Sequence, residues 1–122
     1  MAKTILTVDD SASMRQMIKL TLSGAGYRVI EAADGTQGLA MARSNTVDMV
    51  LTDLNMPGMD GVSLVRELRK LGSYTGVPIV LLTTESEAAK KSEAKAAGAT
   101  AWITKPFQAE QLVSIAKKVL GQ

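Results

Sequence analysis

The chain has 122 residues, of which 46% are hydrophobic and 21% are charged, a composition typical of one soluble globular domain. The 14 basic and 12 acidic residues leave a net charge of +2, too small an excess to indicate a surface for nucleic acids or anionic membranes. Cysteine and histidine are both absent, which excludes disulfide bonds, thiolate zinc sites and cysteine nucleophiles and argues against a serine–histidine–aspartate triad.

The N-terminal segment "MAKTILTVDD" contains too short an apolar run for a signal peptide, and no later stretch approaches the length of a membrane span. No linker or low-complexity tract interrupts the chain. We therefore expect residues 1–122 to form one domain of a cytoplasmic protein that binds neither membranes nor nucleic acids.

The first part of the chain alternates apolar runs with segments of helical periodicity. A strand is predicted over "TILTV" (4–8), and it is followed by a helix whose apolar residues from Met14 to Ala25 recur on one face. The alternation in "YRVIEA" (27–32) is typical of a half-buried or edge strand, and "GTQGLAMARS" (35–44) predicts a short helix.

The third strand is predicted over "MVLT" (49–52), and Asp60 is placed to be the N-cap of the third helix. The most continuously apolar run, "PIVLLTT" (78–84), predicts a central strand covered on both faces. A short fifth strand, "AWIT" (101–104), precedes a last amphipathic helix marked by apolar residues from Leu112 to Leu120.

The fourth helix, predicted over 86–97, differs from the others in composition. Its inward-facing residues are predicted to be Ala88, Ala89 and Ala96, and Gly98 is placed to end it. Because small side chains bury little area, we expect this helix to be the least firmly held.

Five strand–helix units in this order predict an α/β fold, a doubly wound parallel sheet with helices on both faces and right-handed crossovers. Sheets of this kind place their functional sites at the carboxyl ends of the strands. Asp9 and Asp10 follow the first strand, Asp53 follows the third, Thr83 ends the fourth and Lys105 follows the fifth. The predicted fold therefore gathers carboxylates, a hydroxyl and an ammonium group in one pocket.

Such a pocket needs positive charge. Two carboxylates about 4 Å apart repel each other by about 4 kcal/mol at an effective dielectric constant near 20. Lys105 supplies one cation, and the remaining negative charge favours a hard divalent ion such as Mg²⁺. Asp53 is then placed to become an aspartyl phosphate, with the metal and Lys105 neutralising charge on the transferred group.

Most of these residues, taken singly, have an ordinary structural explanation. Either Asp9 or Asp10 would suit the N-cap of a helix beginning near Ser11, and Thr83 is a typical strand residue. Asp53 has no such explanation, because an unpaired charge at the end of a buried strand is costly.

The whole chain resembles the receiver domain of two-component response regulators, from "ILTVDDS" through "VLTDLNMPGMDG" and "PIVLLTT" to "TKPF". Its single-domain length is most similar to that of the chemotaxis members of the family. The resemblance implies a flavodoxin-like sheet of five strands in the order 2-1-3-4-5 with five helices. It also implies a monomeric phosphoacceptor switch, not an enzyme, in which a target protein reads the phosphorylated state.

The resemblance assigns roles to the acidic residues. It implies that Asp9 and Asp10 position Mg²⁺ and that Asp53 both contacts the metal and accepts phosphate from a histidine kinase. The backbone carbonyl of Asn55 would be a further metal ligand. Asn55 and Glu85 occupy positions that tune hydrolysis of the aspartyl phosphate in this family.

The resemblance also implies a switch. Thr83 and Lys105 would bind the phosphoryl oxygens, and a cis peptide would join Lys105 to Pro106. Thr83 would then move inward with an aromatic side chain behind it, here Trp102, and change the surface formed by the fourth helix, fifth strand and fifth helix. Tyrosine or phenylalanine is more usual at that position, so we expect the larger indole to turn only part of the way.

Other functions compete with this interpretation. A carboxylate-dependent phosphohydrolase would commonly carry a second acid two residues after the nucleophile, where this chain has Asn55. A flavodoxin-like mononucleotide carrier would need a phosphate loop after the first strand, where this chain has two acids. An interaction module that is never phosphorylated would not need the acidic set. Within the receiver interpretation, a phosphorelay intermediate and a stress-response regulator both compete with chemotaxis.

Overall fold

The computed structural model describes residues 2–84 and 89–121. Within these two ranges the chain forms one five-stranded parallel sheet, five α-helices and a short 3₁₀ helix at Gly72–Tyr74. The strands are β1 Thr4–Val8, β2 Arg28–Ala32, β3 Met49–Asp53, β4 Ile79–Thr83 and β5 Ala101–Thr104, and the helices are α1 Ala12–Gly24, α2 Gly35–Ser44, α3 Gly61–Arg69, α4 Lys90–Ala97 and α5 Ala109–Leu120.

The strand order is β2-β1-β3-β4-β5 with every pair parallel, so the predicted doubly wound α/β fold is confirmed. Every residue of β1, β3 and β4 is buried, whereas the edge strand β2 is only partly covered. Near-continuous apolar runs are what a strand covered on both faces requires. The central position predicted for "PIVLLTT" follows from the same property.

Two apolar layers sandwich the sheet. Alternate residues of one strand enter different layers: Ile5 packs with Ile18 of α1 and Leu112 of α5, whereas Leu6 packs with residues of α2 and α3 such as Leu39 and Leu64. Among the described residues, no helix combines the length and the apolar character needed to cross a bilayer.

Local capping residues fix the loop that follows β1. The N-cap of α1 is Ser11, whose hydroxyl accepts a hydrogen bond from the Met14 N–H at 3.3 Å. The sequence had left open that Asp9 or Asp10 fills this position. Asp9 instead accepts a hydrogen bond from the Ser11 N–H at 2.9 Å, so both acids remain beyond the helix.

The predicted ends of two other helices are confirmed: the N-cap of α3 and the residue that ends α4. The carboxylate of Asp60 accepts a hydrogen bond from the Ser63 N–H at 2.8 Å at the start of α3. Gly98 ends α4 in the left-handed conformation, with φ of 113°, which suits a residue without a Cβ atom.

The predicted inner face of α4 is wrong. Ala89 and Ala96 are exposed, and the buried alanine of this helix is Ala94. Ala88, the third predicted inward residue, and the predicted start at 86 lie outside the described residues. The reason is physical: a helix rich in alanine and lysine has no large apolar side chain to fix which face turns towards the core.

Candidate functional site

Three carboxylates meet where β1 and β3 end. Asp9 and Asp10 follow β1 directly, and Asp53 is the last residue of β3. Because these strands are parallel neighbours with Val8 opposite Thr52, the residues that follow lie side by side. Each acid offers one carboxylate oxygen, and the three oxygens lie within 4.8 Å of one another.

Lys105 joins this cluster from β5. Its Nζ donates a hydrogen bond to Oδ1 of Asp53 at 3.0 Å, and both side chains are largely covered, with exposed fractions of 23% for the lysine and 9% for the aspartate. The backbone N–H of Lys105 also donates to the carbonyl oxygen of Thr83, which ties the segment after β5 to the end of β4. The peptide bond between Lys105 and Pro106 is cis, the isomer that the resemblance implies.

Asp9 has a carboxylate oxygen that lacks a hydrogen-bond partner among the described residues. It is 1% exposed, and its Oδ2 is buried without a hydrogen-bond partner among residues 2–84 and 89–121. Burial is the main cause that raises the pKa of Asp9; the neighbouring Asp53 and Asp10 raise it further, while the Ser11 N–H and Lys105 oppose the shift. Buried carboxylate oxygens normally have partners.

This donor set fits a hard divalent cation. The cluster offers carboxylate oxygens, one of them buried and without a partner in the described ranges 2–84 and 89–121. Lys105 provides positive charge to Asp53 from one side. Oxygen ligands of this kind are the ones that Mg²⁺ takes in proteins. Asp10 is exposed, so the cluster opens to solvent on its side.

Thr83 stands on the strand next to Asp53. It ends β4, is 1% exposed, and its Oγ1 has no hydrogen-bond partner in the described part of the chain. Leu82 pairs with Asp53 across the two strands, so Thr83 lies one residue further towards the mouth of the sheet. Its hydroxyl is therefore a donor that remains available to a ligand.

The other predicted residues lie around this cluster. Asn55 is exposed two residues beyond Asp53. Trp102, in β5, is partly buried against the layer formed by α2, α3 and α4, and Nζ of Lys91 stands 5.5 Å from the centre of its ring. Glu85 lies outside the described residues.

The sequence interpretation missed the support behind Asp53. A Cβ atom at Gly61 would lie 2.5 Å from the carbonyl oxygen of Asp53 and 2.8 Å from Cα of Leu54. Glycine at this position therefore lets α3 begin directly against the backbone that carries Asp53. The available signal in the sequence was the glycine that directly follows the capping Asp60.

Known proteins are similar to this chain in sequence along most of its length and have the same fold. A family model for the response regulator receiver domain matches residues 5–117. The chemotaxis protein CheY of Pseudomonas aeruginosa is 38% identical over 116 residues, which are 94% of each chain. The solved structure of the chemotaxis protein CheY4 of Vibrio cholerae has a TM-score of 0.94 and 45% identity, and the match covers 98% of this chain and 100% of that one.

Other relatives are longer. The phosphate regulon transcriptional regulatory protein PhoB of Pseudomonas aeruginosa is 39% identical over 118 residues, which are 97% of this chain but 52% of that protein. The chain thus spans about half the length of the first curated relatives that it matches.

Proposed function

The chain belongs to the response regulator receiver domain family, and on that basis we propose that it is a phosphoacceptor switch formed by residues 1–122. Asp53 accepts a phosphoryl group from a histidine kinase, and the phosphorylated chain, a cytoplasmic monomer, signals by binding a protein. The observation that carries this proposal is the largely covered Asp53–Lys105 pair, at 3.0 Å, beside the carboxylates of Asp9 and Asp10.

The chain supplies the nucleophile for the transfer and two side chains that contact the transferred group. A carboxylate oxygen of Asp53 attacks the phosphorus of a phosphohistidine; an O–P bond forms, the P–N bond breaks, and the imidazole leaves with the electron pair of that bond. Lys105 Nζ, already bonded to Asp53, stays within reach of the incoming phosphoryl oxygens. Thr83 donates the hydrogen bond for which its buried hydroxyl has no partner among the described residues.

We assign Mg²⁺ to the acidic cluster. Asp9, Asp10 and Asp53, with the backbone carbonyl of Asn55, would hold it, and when bound it offsets the negative charge of the carboxylates and the phosphoryl group. The unpartnered Oδ2 of Asp9 supports this assignment. Asn55 and Glu85 then tune hydrolysis of the aspartyl phosphate.

The output surface of the proposal is formed by α4, β5 and α5. Thr83 lies on β4 opposite Thr104 of β5, so a displacement of Thr83 acts directly on the strand that carries Trp102. Trp102 is partly buried, and we expect its indole to turn part of the way inward when the hydroxyl of Thr83 moves towards phosphate. A target protein then reads the changed surface.

Intact-mass measurement after incubation with acetyl phosphate tests the phosphoacceptor. We expect one added phosphoryl group in the presence of Mg²⁺ and none after chelation of the metal. Asp53→Asn should abolish the addition. Asp48→Asn is a matched control. Asp48 lies outside the site and accepts a hydrogen bond from the Thr4 N–H at 2.8 Å, so this variant should be phosphorylated as the wild type is. A stably modified Asp53→Asn protein would refute the assignment.

Chemotaxis is the role we propose, because relatives named for it match nearly end to end: the Pseudomonas aeruginosa CheY match covers 94% of both chains. A strain without the gene should lose directed swimming in soft agar, and the wild-type gene but not Asp53→Asn should restore it. Unimpaired chemotaxis in that strain would contradict this role.

A receiver that serves transcription or a phosphorelay is the second candidate. It is favoured by the relatives of about twice this length, among them the DNA-binding response regulator MtrA of Mycobacterium tuberculosis, 40% identical over 114 residues. Phosphoryl transfer from the labelled chain to a histidine phosphotransfer protein would support a relay. Steady release of phosphate from a small phosphomonoester would instead indicate a phosphohydrolase.

A further inference from the structure

Arg15, near the start of α1, connects the loop that carries Asp9 and Asp10, here called the acidic loop, to the edge strand β2. One of its guanidinium nitrogens, Nη1, donates a hydrogen bond to the backbone carbonyl oxygen of Asp9. Its Nε faces Oε1 of Glu31, on β2, at 3.5 Å. The side chain is largely covered, with an exposed fraction of 18%.

The carbonyl that Arg15 binds belongs to the peptide unit between Asp9 and Asp10. Because a peptide unit is planar and rigid, the direction of this carbonyl sets the relative orientation of the two residues that it joins. The rest of Asp9 is already fixed, since its N–H donates to the Ala32 carbonyl at 3.1 Å and its Oδ1 accepts from the Ser11 N–H at 2.9 Å. The Arg15 bond adds a third contact to Asp9, at its carbonyl oxygen.

Glu31 in turn holds Arg15. Its two carboxylate oxygens face Arg15 and Lys19, each at 3.5 Å. Lys19 is 51% exposed, so its pair is weakened by solvent and contributes little. Lys19 therefore pairs with the same carboxylate as Arg15. Its ion pair is with Glu31 and involves neither Asp9 nor Asp10.

We propose that Arg15, held by Glu31, is a positioning residue for the divalent cation at Asp9, Asp10 and Asp53. It orients the Asp9–Asp10 peptide so that both carboxylates face one cation. This inference rests on the proposed function, because it assumes that the cluster binds a metal. A charge-assisted hydrogen bond to a carbonyl is stronger than a neutral one, which suits a group that must keep two like-charged side chains close together.

Calorimetric titration with MgCl₂ at fixed ionic strength tests the proposal. We expect Arg15→Met to weaken Mg²⁺ binding by about 10–100-fold, the usual effect of losing an outer-shell partner. Lys19→Met, the matched control, should bind Mg²⁺ as the wild type does. Arg15→Lys should recover only part of the loss, because one ammonium does not reproduce the forked geometry that reaches both the Asp9 carbonyl and Glu31.

A second readout separates positioning from general damage to the fold. The rate of phosphorylation by acetyl phosphate at saturating Mg²⁺ should be nearly unchanged in Arg15→Met, whereas the Mg²⁺ concentration for half-maximal rate should rise. Should Arg15→Met unfold in a thermal scan, Glu31→Gln removes the support with less disturbance and should weaken Mg²⁺ binding in the same direction.

Two results would overturn the proposal. Wild-type affinity for Mg²⁺ in both Arg15→Met and Glu31→Gln would show that the Asp9 carbonyl does not need this hydrogen bond. An equal loss in Lys19→Met would show that the loss does not depend on the hydrogen bond from Arg15 to that carbonyl. A wild-type protein that fails to bind Mg²⁺ refutes the metal site of the proposed function itself, and it is recognised before any variant is compared.

Discussion

Two neighbouring helices on the same face of the sheet, α3 and α4, are held in opposite ways. The buried residues of α3 include the large apolar side chains Leu64, Val65 and Leu68, whereas the buried residue of α4 is Ala94. Burying a large apolar side chain contributes about 1.5–3 kcal/mol, and an alanine contributes much less. One face of the sheet therefore carries both a firmly packed helix, α3, and a helix that costs little to displace, α4.

Arg69 attaches α4 to α3. At the end of α3, its Nε and Nη2 donate to the Gly98 carbonyl at 3.0 and 2.7 Å, and its Nη1 donates to the carbonyls of Tyr74 and Val77 at 2.6 and 2.7 Å. Burial lowers the pKa of Arg69 below its usual value. The C-terminal end of α4 is thus anchored by a charged side chain, while little apolar area holds its body.

The largest expected effect comes from truncating one core residue in each helix. We expect Leu68→Ala to lower the free energy of unfolding by about 2–5 kcal/mol, because it leaves a cavity in a fully buried position. Ala94→Gly should cost about 1 kcal/mol, mainly through backbone entropy. Urea denaturation measures both, and equal losses would show that α4 is held as firmly as α3.

Removing the anchor tests whether the end of α4 depends on it. We expect Arg69→Met to lower the free energy of unfolding by about 1–3 kcal/mol, because partly buried carbonyl oxygens lose their donors. Amide hydrogen exchange should speed up at residues 94–100. Arg66→Met is the control, since its pair with Glu93 at 3.5 Å is about half exposed and should contribute little. Unchanged exchange in Arg69→Met would contradict the anchor.

Tyr74 fixes the segment that follows α3. Its hydroxyl donates to the carbonyls of Ala42 and Asn45 at 2.7 and 3.0 Å, which ties the segment after α3 to the end of α2. We expect Tyr74→Phe to cost about 1 kcal/mol. Thermal and urea unfolding at neutral pH measure this loss.

The same tyrosine gives a pH test. Burial raises the pKa of Tyr74 above its usual value of 10.0, so the folded state keeps this proton to higher pH than the unfolded state does. Its contribution is complete below pH 10.0 and is lost as the pH rises through the folded-state pKa. The wild type should therefore lose more stability in this range than Tyr74→Phe, and parallel curves would exclude the effect.

The smallest expected effect concerns the exposed side of α4. Lys91 stands over the ring of Trp102 at 5.5 Å, a cation–π contact worth about 0.5–1 kcal/mol at an exposed site. Lys91→Met should shift the emission of this single tryptophan and change stability by no more than that amount. Lys95→Met, on the same helix, should leave the emission unchanged. Identical spectra for both variants would show that the ring does not sense Lys91.

Much of the fold was predictable, because apolar runs identify buried strands without reference to the rest of the chain. The rule that parallel strands end at one edge also predicted the meeting of Asp9, Asp10, Asp53 and Lys105, and the structure brings them together. The metal and phosphoryl roles of these residues remain proposals. What decided the loop after β1 was Ser11: it caps α1 and leaves both acids for the pocket.

Arg69 and the inner face of α4 were not predictable for different reasons. An arginine at a helix end is usually explained by the helix dipole. Arg69 instead binds carbonyl oxygens that include that of Gly98, which is distant in sequence, so the pattern of residues around Arg69 does not indicate this contact. The inner face of α4 was mispredicted because Ala89, Ala94 and Ala96 are alike in sequence. Contact with α3, not local pattern, selects Ala94.

The charged edge strand β2 has a consequence for behaviour at high concentration. β2 forms one edge of the sheet and β5 the other. β2 carries exposed Arg28 and the paired Glu31, and β5 has only four residues. Short or charged edges disfavour strand pairing between separate molecules. We therefore expect crowded solutions of this protein to resist fibril growth by edge-to-edge addition.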